Sequence, residues 1–166
     1  MAWEIRLLIN NASRFDRTKM DELDQTIWHT LMQVNVRAPF LLSTYAKPHL
    51  AKQKGAIINI TDIHGELPLN GYLEYCQTKA ALIMQTKALA QEFAPDIRVN
   101  AIAPGAIAWP EDENALDPVH QAKIVEKTLL KTHGSPLYIA QAVLSLAENP
   151  YITGQTLRVD GGRVIF

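Results

Sequence analysis

The sequence has little of what marks secreted, membrane-spanning or nucleic-acid-binding proteins. Its single cysteine, Cys76, has no partner for an internal disulfide, which favours a reducing compartment. Its apolar runs are far shorter than the roughly 20 residues of a spanning helix, and its N-terminus lacks a signal-peptide pattern. The 16 Lys and Arg residues are balanced by 17 Asp and Glu, so no basic excess is available for nucleic acid or an anionic membrane surface. These absences predict a cytoplasmic globular protein that binds neither.

Apolar periodicity predicts strands that alternate with helices along all 166 residues. Short apolar runs bounded by polar residues or glycine indicate buried strands at residues 5–9, 56–60, 98–103 and 156–160. Helical spacing and first-turn prolines indicate helices at residues 21–33, 39–52, 72–93, 119–131 and 136–148. The acidic segment 110–118 is expected to be a mobile surface loop. This alternation is typical of an α/β protein, with a parallel sheet covered on both faces by helices.

Parallel sheets of this kind bind ligands at the carboxyl ends of their strands. The residues that follow the predicted strands are therefore the first candidates for a site: the segment 10–13, Thr61 with Asp62, and Pro104 with Gly105. The five histidines show no pairing at metal-ligand spacing, so the sequence predicts no metal site.

Tyr75 and Lys79 are four residues apart on the longest predicted helix, so their side chains project from one face. An ammonium beside a phenol favours the phenolate and lowers the pKa of the tyrosine, which would make Tyr75 a usable proton donor. The same spacing also fits a solvated lysine beside a half-buried tyrosine. Asp62 follows a predicted strand, where a loop could fold back onto this helix.

Further motifs accompany this pair in a fixed order. They are Asn10-Asn11-Ala12, Asn35, Tyr75 with Lys79, Pro104-Gly105 and Asp160-Gly161-Gly162. From about Leu7 to its C-terminus, the chain resembles the short-chain dehydrogenase/reductase family in carrying these motifs. The resemblance implies a Rossmann-like, doubly wound parallel sheet that binds a nicotinamide cofactor.

Two departures from the general family pattern are similar to the pteridine reductases. Ser13 and Phe15 follow the first motif where most members have glycine, and Asp62 occupies the usual serine position. The resemblance implies hydride transfer from NADPH to a C=N bond of a pterin or dihydropterin. A carboxylate suits this reaction, because it stabilises positive charge on a protonated nitrogen but opposes the negative charge that grows on a ketone oxygen. Asp62 could also be an ordinary turn residue that caps backbone amides.

The resemblance also implies a role for each matched residue. Tyr75 would donate the proton together with Asp62, and Lys79 would lower the pKa of Tyr75 and hold the nicotinamide ribose. Asn35, the fourth catalytic residue, would support a water that links Lys79 to solvent. The cofactor would contact Asn10, Ala12, Ser13, Tyr75, Lys79, Pro104 and Gly105. The pterin would contact Ser13, Phe15, Asp62 and Tyr75, with the Phe15 ring stacked on the heterocycle.

The family's glycine-rich turn, which binds cofactor phosphates at a helix N-terminus, has no counterpart among the eight glycines. The resemblance therefore implies one partial Rossmann-like domain over residues 1–166, truncated before the family's fourth strand. Its first strand would then form an exposed apolar edge, open to pairing with another chain.

Two alternatives stay open at this point. The substrate could be a carbonyl compound such as a 3-oxoacyl group instead of a pterin. The chain could also be a truncated, non-catalytic remnant that only oligomerises, because the family forms dimers and tetramers through helices that correspond to 39–52 and 72–93.

Overall fold

The computed structural model describes residues 4–109 and 114–165, and its centre is a parallel sheet. The strands lie in the order β1, β2, β3, β4, with bounds Leu7–Asn10, Ala56–Ile60, Arg98–Pro104 and Thr156–Val159. Asn10 pairs in register with Asn59, and Pro104 pairs with Val159. The carboxyl ends of the four strands therefore meet along one edge of the sheet, which confirms the predicted α/β architecture.

Five α-helices cover the sheet in the part of the chain that the structure describes. Their bounds are α1 Gln25–Met32, α2 Ala38–Lys52, α3 Leu73–Phe93, α4 Pro118–Glu126 and α5 Pro136–Glu148. A π-helical turn, Gln33–Arg37, joins α1 to α2, and a short 3-10 turn, Ile63–Gly65, follows β2. No helix among these described residues is long and apolar enough to cross a membrane.

Two apolar layers hold the helices against the sheet. Neighbouring residues of β2 point to opposite faces, so Ile57 packs toward α2 and α3 while Ile58 packs toward α5. Both isoleucines are fully buried. A strand covered on both faces favours apolar residues, which explains four of the five residues of β2, and the buried Asn59 is hydrogen-bonded to Asn10 and Thr86.

The first strand departs from the prediction for residues 5–9. It begins at Leu7 and lies at the edge of the sheet, where the side chain of Ile9 is 44% exposed. The expectation of a strand buried on both faces is therefore wrong here, whereas the expectation of an exposed apolar edge is confirmed.

Two helix boundaries also differ from the prediction. The α1 helix begins at Gln25, because the Asp24 carboxylate accepts a hydrogen bond from Thr26 N at 2.7 Å and caps the helix there. The α4 helix ends at Glu126 instead of residue 131; Lys131 has a φ of +53°, which a helix does not allow. Residues 110–113 of the predicted mobile loop lie outside the described residues, and Pro118 begins α4.

The side chain of Arg98 binds the C-terminal end of α5. Its guanidinium donates to the carbonyl oxygens of Leu146 at 2.7 Å and Ala147 at 2.6 Å. Helix-end carbonyls lack intrahelical partners, so Arg98→Met should lower the free energy of unfolding by about 2 kcal/mol. Urea denaturation measures this change. Arg37→Met, at an exposed helical arginine, should change it by less than about 0.5 kcal/mol, and equal effects would contradict the capping role.

Candidate active site

The carboxyl ends of the strands bring Asp62 and the first turns of α3 together. Asp62 directly follows Thr61 at the end of β2, and its Oδ1 atom accepts a hydrogen bond from His64 N at 2.8 Å. Its second oxygen, Oδ2, accepts the hydroxyl of Tyr75 at 2.8 Å. The loop therefore folds back onto α3, and one carboxylate both caps the 3-10 turn and holds the phenol.

Lys79 lies one helical turn beyond Tyr75 and is almost completely buried, with 2% of the residue exposed. Its Nζ atom donates to the carbonyl oxygen of Ile60 at 3.2 Å and lies 5.5 Å from the centroid of the Tyr75 ring. Burial lowers the pKa of Lys79 to about 8, although the Asp62 carboxylate partly opposes this shift. The lysine is an internal ammonium group, so the solvated alternative is wrong.

The pKa of Tyr75 shifts in the direction opposite to the prediction. Burial raises it well above 10.0, and the negative charge and hydrogen bond of Asp62 raise it further. The expected lowering by Lys79 is wrong for this structure, since desolvation and the carboxylate outweigh it. Tyr75 therefore keeps its proton and shares it with Asp62.

Asn35 is almost fully buried in the π-helical turn, and its side chain binds the loop after β1 and Thr78 of α3. Its Oδ1 atom accepts from Arg14 N at 2.8 Å and from the Ser13 hydroxyl at 3.2 Å. Its amide nitrogen donates to Arg14 O at 2.9 Å and to Thr78 Oγ1 at 3.0 Å. These bonds place Asn35 between the loop and α3, where it fixes the path of residues 13–15.

Phe15 lies in an aromatic cluster beside the candidate proton donor. Its ring stacks on Tyr72 with a centroid distance of 4.2 Å and an interplanar angle of 11°. It meets Tyr75 edge to face at 4.7 Å. One face of Phe15 is therefore occupied by protein, and the ring contributes to a wall beside Tyr75.

A cavity of about 430 Å³ opens at the Asp62–Tyr75 pair. Its described lining includes the aromatic residues Phe15, Tyr72 and Trp109, the apolar residues Ile63 and Leu69, and the polar residues Arg17, Asn114 and Arg163. The described lining is mainly apolar and aromatic, with a few convergent polar groups, which is typical of small-molecule sites.

The remaining predicted residues lie on the neighbouring strand ends. Asn10 is buried, and its amide nitrogen donates to Asn59 Oδ1 at 2.8 Å and to Ser43 Oγ at 3.3 Å, so it points into the protein. Ala12 and Ser13 are exposed beyond β1. Pro104 lines a second cleft of about 330 Å³, with Ile60 and Ile107 at the same edge of the sheet.

Gly105, one of the predicted cofactor contacts, lies where two turns approach each other closely. A Cβ atom at this position would lie 2.8 Å from both Cα and Cβ of Asp160. The glycine is needed because the turn after β3 packs directly on the turn after β4.

Among the described residues of the cavity wall, Tyr72, Asn114 and Arg17 belong to no motif of the sequence. Tyr72 donates its hydroxyl to Asn114 Oδ1 at 2.8 Å, and Asn114 in turn donates to Phe15 O at 3.2 Å. Arg17 lies over the Tyr72 ring, 5.4 Å from its centroid. The spacing of Tyr72 and Tyr75, one helical turn apart, could have indicated Tyr72. The contacts of Asn114 and Arg17 join distant segments of the chain, so no local spacing indicates them.

Comparison with known proteins agrees with the fold. A family model described as enoyl-(acyl carrier protein) reductase matches residues 2–163. The chain belongs to the short-chain dehydrogenase/reductase family.

The curated relatives include reductases and dehydrogenases. The 3-oxoacyl-(acyl-carrier-protein) reductase of Thermotoga maritima is 33% identical, with 97% of this chain and 67% of that protein aligned. The corresponding enzyme of Rickettsia prowazekii is 38% identical over 96% of this chain and 67% of that protein. A cyclopentanol dehydrogenase of Comamonas testosteroni is 34% identical, with 93% of this chain and 64% of that protein aligned. The chain thus spans about two thirds of the length of these relatives.

Solved structures agree on the fold. A blue fluorescent protein from a metagenomic library, solved with NADPH, has a TM-score of 0.87 and 32% identity, covering 96% of this chain and 65% of its own. An apo SCOR enzyme from Clostridium thermocellum has a TM-score of 0.85 and 31% identity, covering 98% and 65%. These similarities confirm the Rossmann-like parallel sheet.

Proposed function

We propose that this chain carries the hydride-transfer site of an NAD(P)H-linked short-chain reductase, in which Tyr75 donates the proton. The observation that carries the proposal is the Tyr75 hydroxyl bonded to Asp62 Oδ2 at 2.8 Å beside the cavity, with the Lys79 ammonium buried behind the ring. A protonated phenol at an apolar cavity can deliver its proton to a substrate that accepts hydride.

The residues at the strand ends fit a nicotinamide cofactor. The Lys79 ammonium has three N–H donors and only one acceptor among the described residues, Ile60 O, so it has donors for ribose hydroxyls. The neighbouring cleft at Pro104 is mainly apolar and suits a flat ring. A bound cofactor would supply the hydride, and the NADPH in one solved relative supports NADPH as the proposed form. We propose that Ala12, Ser13, Tyr75 and the turn at Gly105 line the same path, with Asn10 shaping the end of β1.

The Asp62–Tyr75 bond determines how the proton is held. The raised pKa of Tyr75 keeps the phenol protonated, and Asp62 orients the hydroxyl hydrogen. For transfer, that hydrogen must leave Oδ2 and face the substrate atom. The Lys79 charge then stabilises the phenolate that remains, because the two groups lie in an environment of low effective dielectric.

We propose a carbonyl compound, specifically a 3-oxoacyl thioester, as the first candidate substrate. The curated relatives from Thermotoga maritima and Rickettsia prowazekii are 3-oxoacyl-(acyl-carrier-protein) reductases, and they support this choice. A largely apolar cavity of about 430 Å³ fits a short acyl group.

A pterin or dihydropterin is the second candidate, and Asp62 is the observation that favours it. Reduction of a C=N bond gains from a carboxylate that stabilises positive charge on the nitrogen. Asp62 lies beside Tyr75, and Phe15 presents an aromatic ring to the same cavity. This arrangement supports a pteridine-reductase-like substrate, and we propose that the exposed Ser13 contacts it as well.

The substitution Asp62→Ser separates the two substrates. Serine can still accept the His64 N–H bond, so the 3-10 turn should keep its cap while the charge is lost. We expect the rate of acetoacetyl-thioester reduction to rise about tenfold, because the carboxylate no longer opposes the growing oxyanion. NADPH oxidation measured with each substrate tests this expectation.

Dihydrobiopterin reduction provides the opposite readout. If the pterin is the substrate, the wild-type chain reduces it and Asp62→Ser slows that reaction at least about tenfold. Asp62→Asn is the control that removes the negative charge but keeps the size of the side chain. A wild-type chain that reduces dihydrobiopterin but no ketone would contradict the 3-oxoacyl assignment.

A further inference from the structure

Positively charged side chains outnumber negatively charged ones in the described lining of the cavity. Among the described residues that line it, Asp62 is the only carboxylate, and it is already bonded to Tyr75 and to His64 N. Two arginines, Arg17 and Arg163, line the same cavity. Guanidinium groups are always charged in proteins, so the described lining of the cavity carries more positive than negative charge.

Arg17 is held at the cavity by contacts that leave its N–H donors available. Its guanidinium carbon lies 5.4 Å above the centroid of the Tyr72 ring. The adjacent backbone is fixed, since Thr18 N donates to Gly71 O at 2.8 Å. No carboxylate pairs with Arg17 in the described part of the chain, whereas Arg158 is paired with Glu66.

Arg163 has an acidic neighbour in sequence, but that carboxylate is occupied elsewhere. Asp160 Oδ1 accepts from Gly162 N at 2.9 Å, and Oδ2 accepts from Val164 N at 2.8 Å. Asp160 therefore closes its own turn, and the half-buried Arg163 makes no ion pair with any residue between 4 and 109 or between 114 and 165.

We propose that Arg17 and Arg163 form an anion-binding subsite of the cavity, which selects substrates that carry a carboxylate or phosphate group away from the reducible bond. The planar fork of a guanidinium matches the oxygen geometry of both anions. The described lining also includes Leu69 and Trp109, which suit an apolar or aromatic body. This inference rests on the proposed function for the identity of the reducible bond, and it names the substrate class.

Binding measurements test the subsite without requiring turnover. Two pairs of probes share a reducible group and differ in charge: acetoacetyl-coenzyme A with the neutral acetoacetyl N-acetylcysteamine thioester, and dihydrofolate with the neutral dihydrobiopterin. Calorimetry gives Kd for each with the wild-type chain, Arg17→Gln, Arg163→Gln and the double variant. For at least one pair, we expect the Kd of the charged probe to be lower than that of the neutral probe by about tenfold or more. Each Gln variant should reduce this ratio of Kd values by about tenfold.

The controls separate this inference from its alternatives. Arg17→Lys keeps the charge and should retain most of the preference, and Arg37→Gln, which lies outside the cavity, should leave every Kd unchanged. A response in the coenzyme A pair identifies phosphate as the anion, and a response in the folate pair identifies a carboxylate.

Three results would overturn the subsite: equal binding of charged and neutral probes, a preference that survives in the double variant, or no binding of any probe. Weakened NADPH binding in the arginine variants, with the preference for charged substrate probes unchanged, would overturn it as well. A preserved charge preference without any reduction of the probes would instead contradict the proposed function alone.

Discussion

Replacement of Tyr75 by phenylalanine is expected to slow hydride transfer by about 10²- to 10⁴-fold, the range that a general acid contributes. The phenol is the proton donor in the proposed mechanism, and phenylalanine keeps the ring that meets Phe15 edge to face. Cofactor and substrate Kd values should therefore change little. Single-turnover measurement of NADPH oxidation, with binding measured separately by calorimetry, distinguishes a loss of chemistry from a loss of binding.

Tyr45→Phe is the matched control for this experiment, since Tyr45 is 71% exposed on α2 and lies outside the cavity. It should reduce the rate of hydride transfer less than twofold, in line with a surface substitution. A Tyr75→Phe variant that retains more than about a tenth of the wild-type rate would exclude the phenol as the main proton donor.

The sheet and its site edge were predictable from the sequence because local signals agree with one another there. The run Ala56–Ile60 is apolar except for Asn59, as suits a strand buried on both faces, and it is followed by Thr61 and Asp62. Ser135 and a first-turn proline similarly mark the start of α5, where the Ser135 hydroxyl accepts from Leu137 N at 3.3 Å. Both signals act within a few residues, so spacing alone reveals them.

The electrostatics of the site were not predictable in this way. Residue spacing places Lys79 beside Tyr75, but the direction of the Tyr75 pKa depends on how much water the fold removes and on where the Asp62 carboxylate points. Asn35 shows the same limit. Its position in a π-helical turn aims its amide at Arg14, a contact across 21 residues that no local pattern encodes.

Contacts between distant segments explain the residues that sequence reasoning missed. Asn114 joins Tyr72 to the backbone of Phe15 across 99 residues, and only the completed fold brings these groups together. Gly105 is a further example, because its need for glycine comes from close packing against Asp160, across 55 residues.

Replacement of Lys79 by methionine is expected to abolish most hydride transfer and, at neutral pH, to stabilise the fold. Lys79 has a pKa of about 8 in the folded chain against an ordinary value of 10.5, because burial disfavours its charge. While Lys79 is charged, a lowering of its pKa by this amount reduces the free energy of unfolding by about 3 kcal/mol. Methionine fills a similar volume without a charge, so Lys79→Met should unfold at a higher urea concentration than the wild type near pH 7.

The contribution of Lys79 to the free energy of unfolding changes with pH in a defined direction. Below about pH 8 the folded and unfolded chains both hold the Lys79 proton, so the folded state bears the full cost of burying the charge. Between pH 8 and 10.5 the unfolded chain still binds a proton that the folded chain has released, and the contribution of Lys79 to unfolding free energy rises with pH. The stability gap between Lys79→Met and the wild type should therefore be largest below pH 8 and shrink toward pH 10.

Lys87→Met tests whether burial is the cause, because Lys87 lies on the exposed side of the same helix. Its stability difference from the wild type should be small. The raised pKa values of Tyr75 and Cys76 affect all these chains in the same manner, so the comparison between variants isolates Lys79. If the stability difference between Lys79→Met and the wild type stays constant from pH 7 to pH 10, the folded chain does not bury a charged ammonium at Lys79. The lysine would then lack the positive charge that the proposed mechanism needs beside the phenolate.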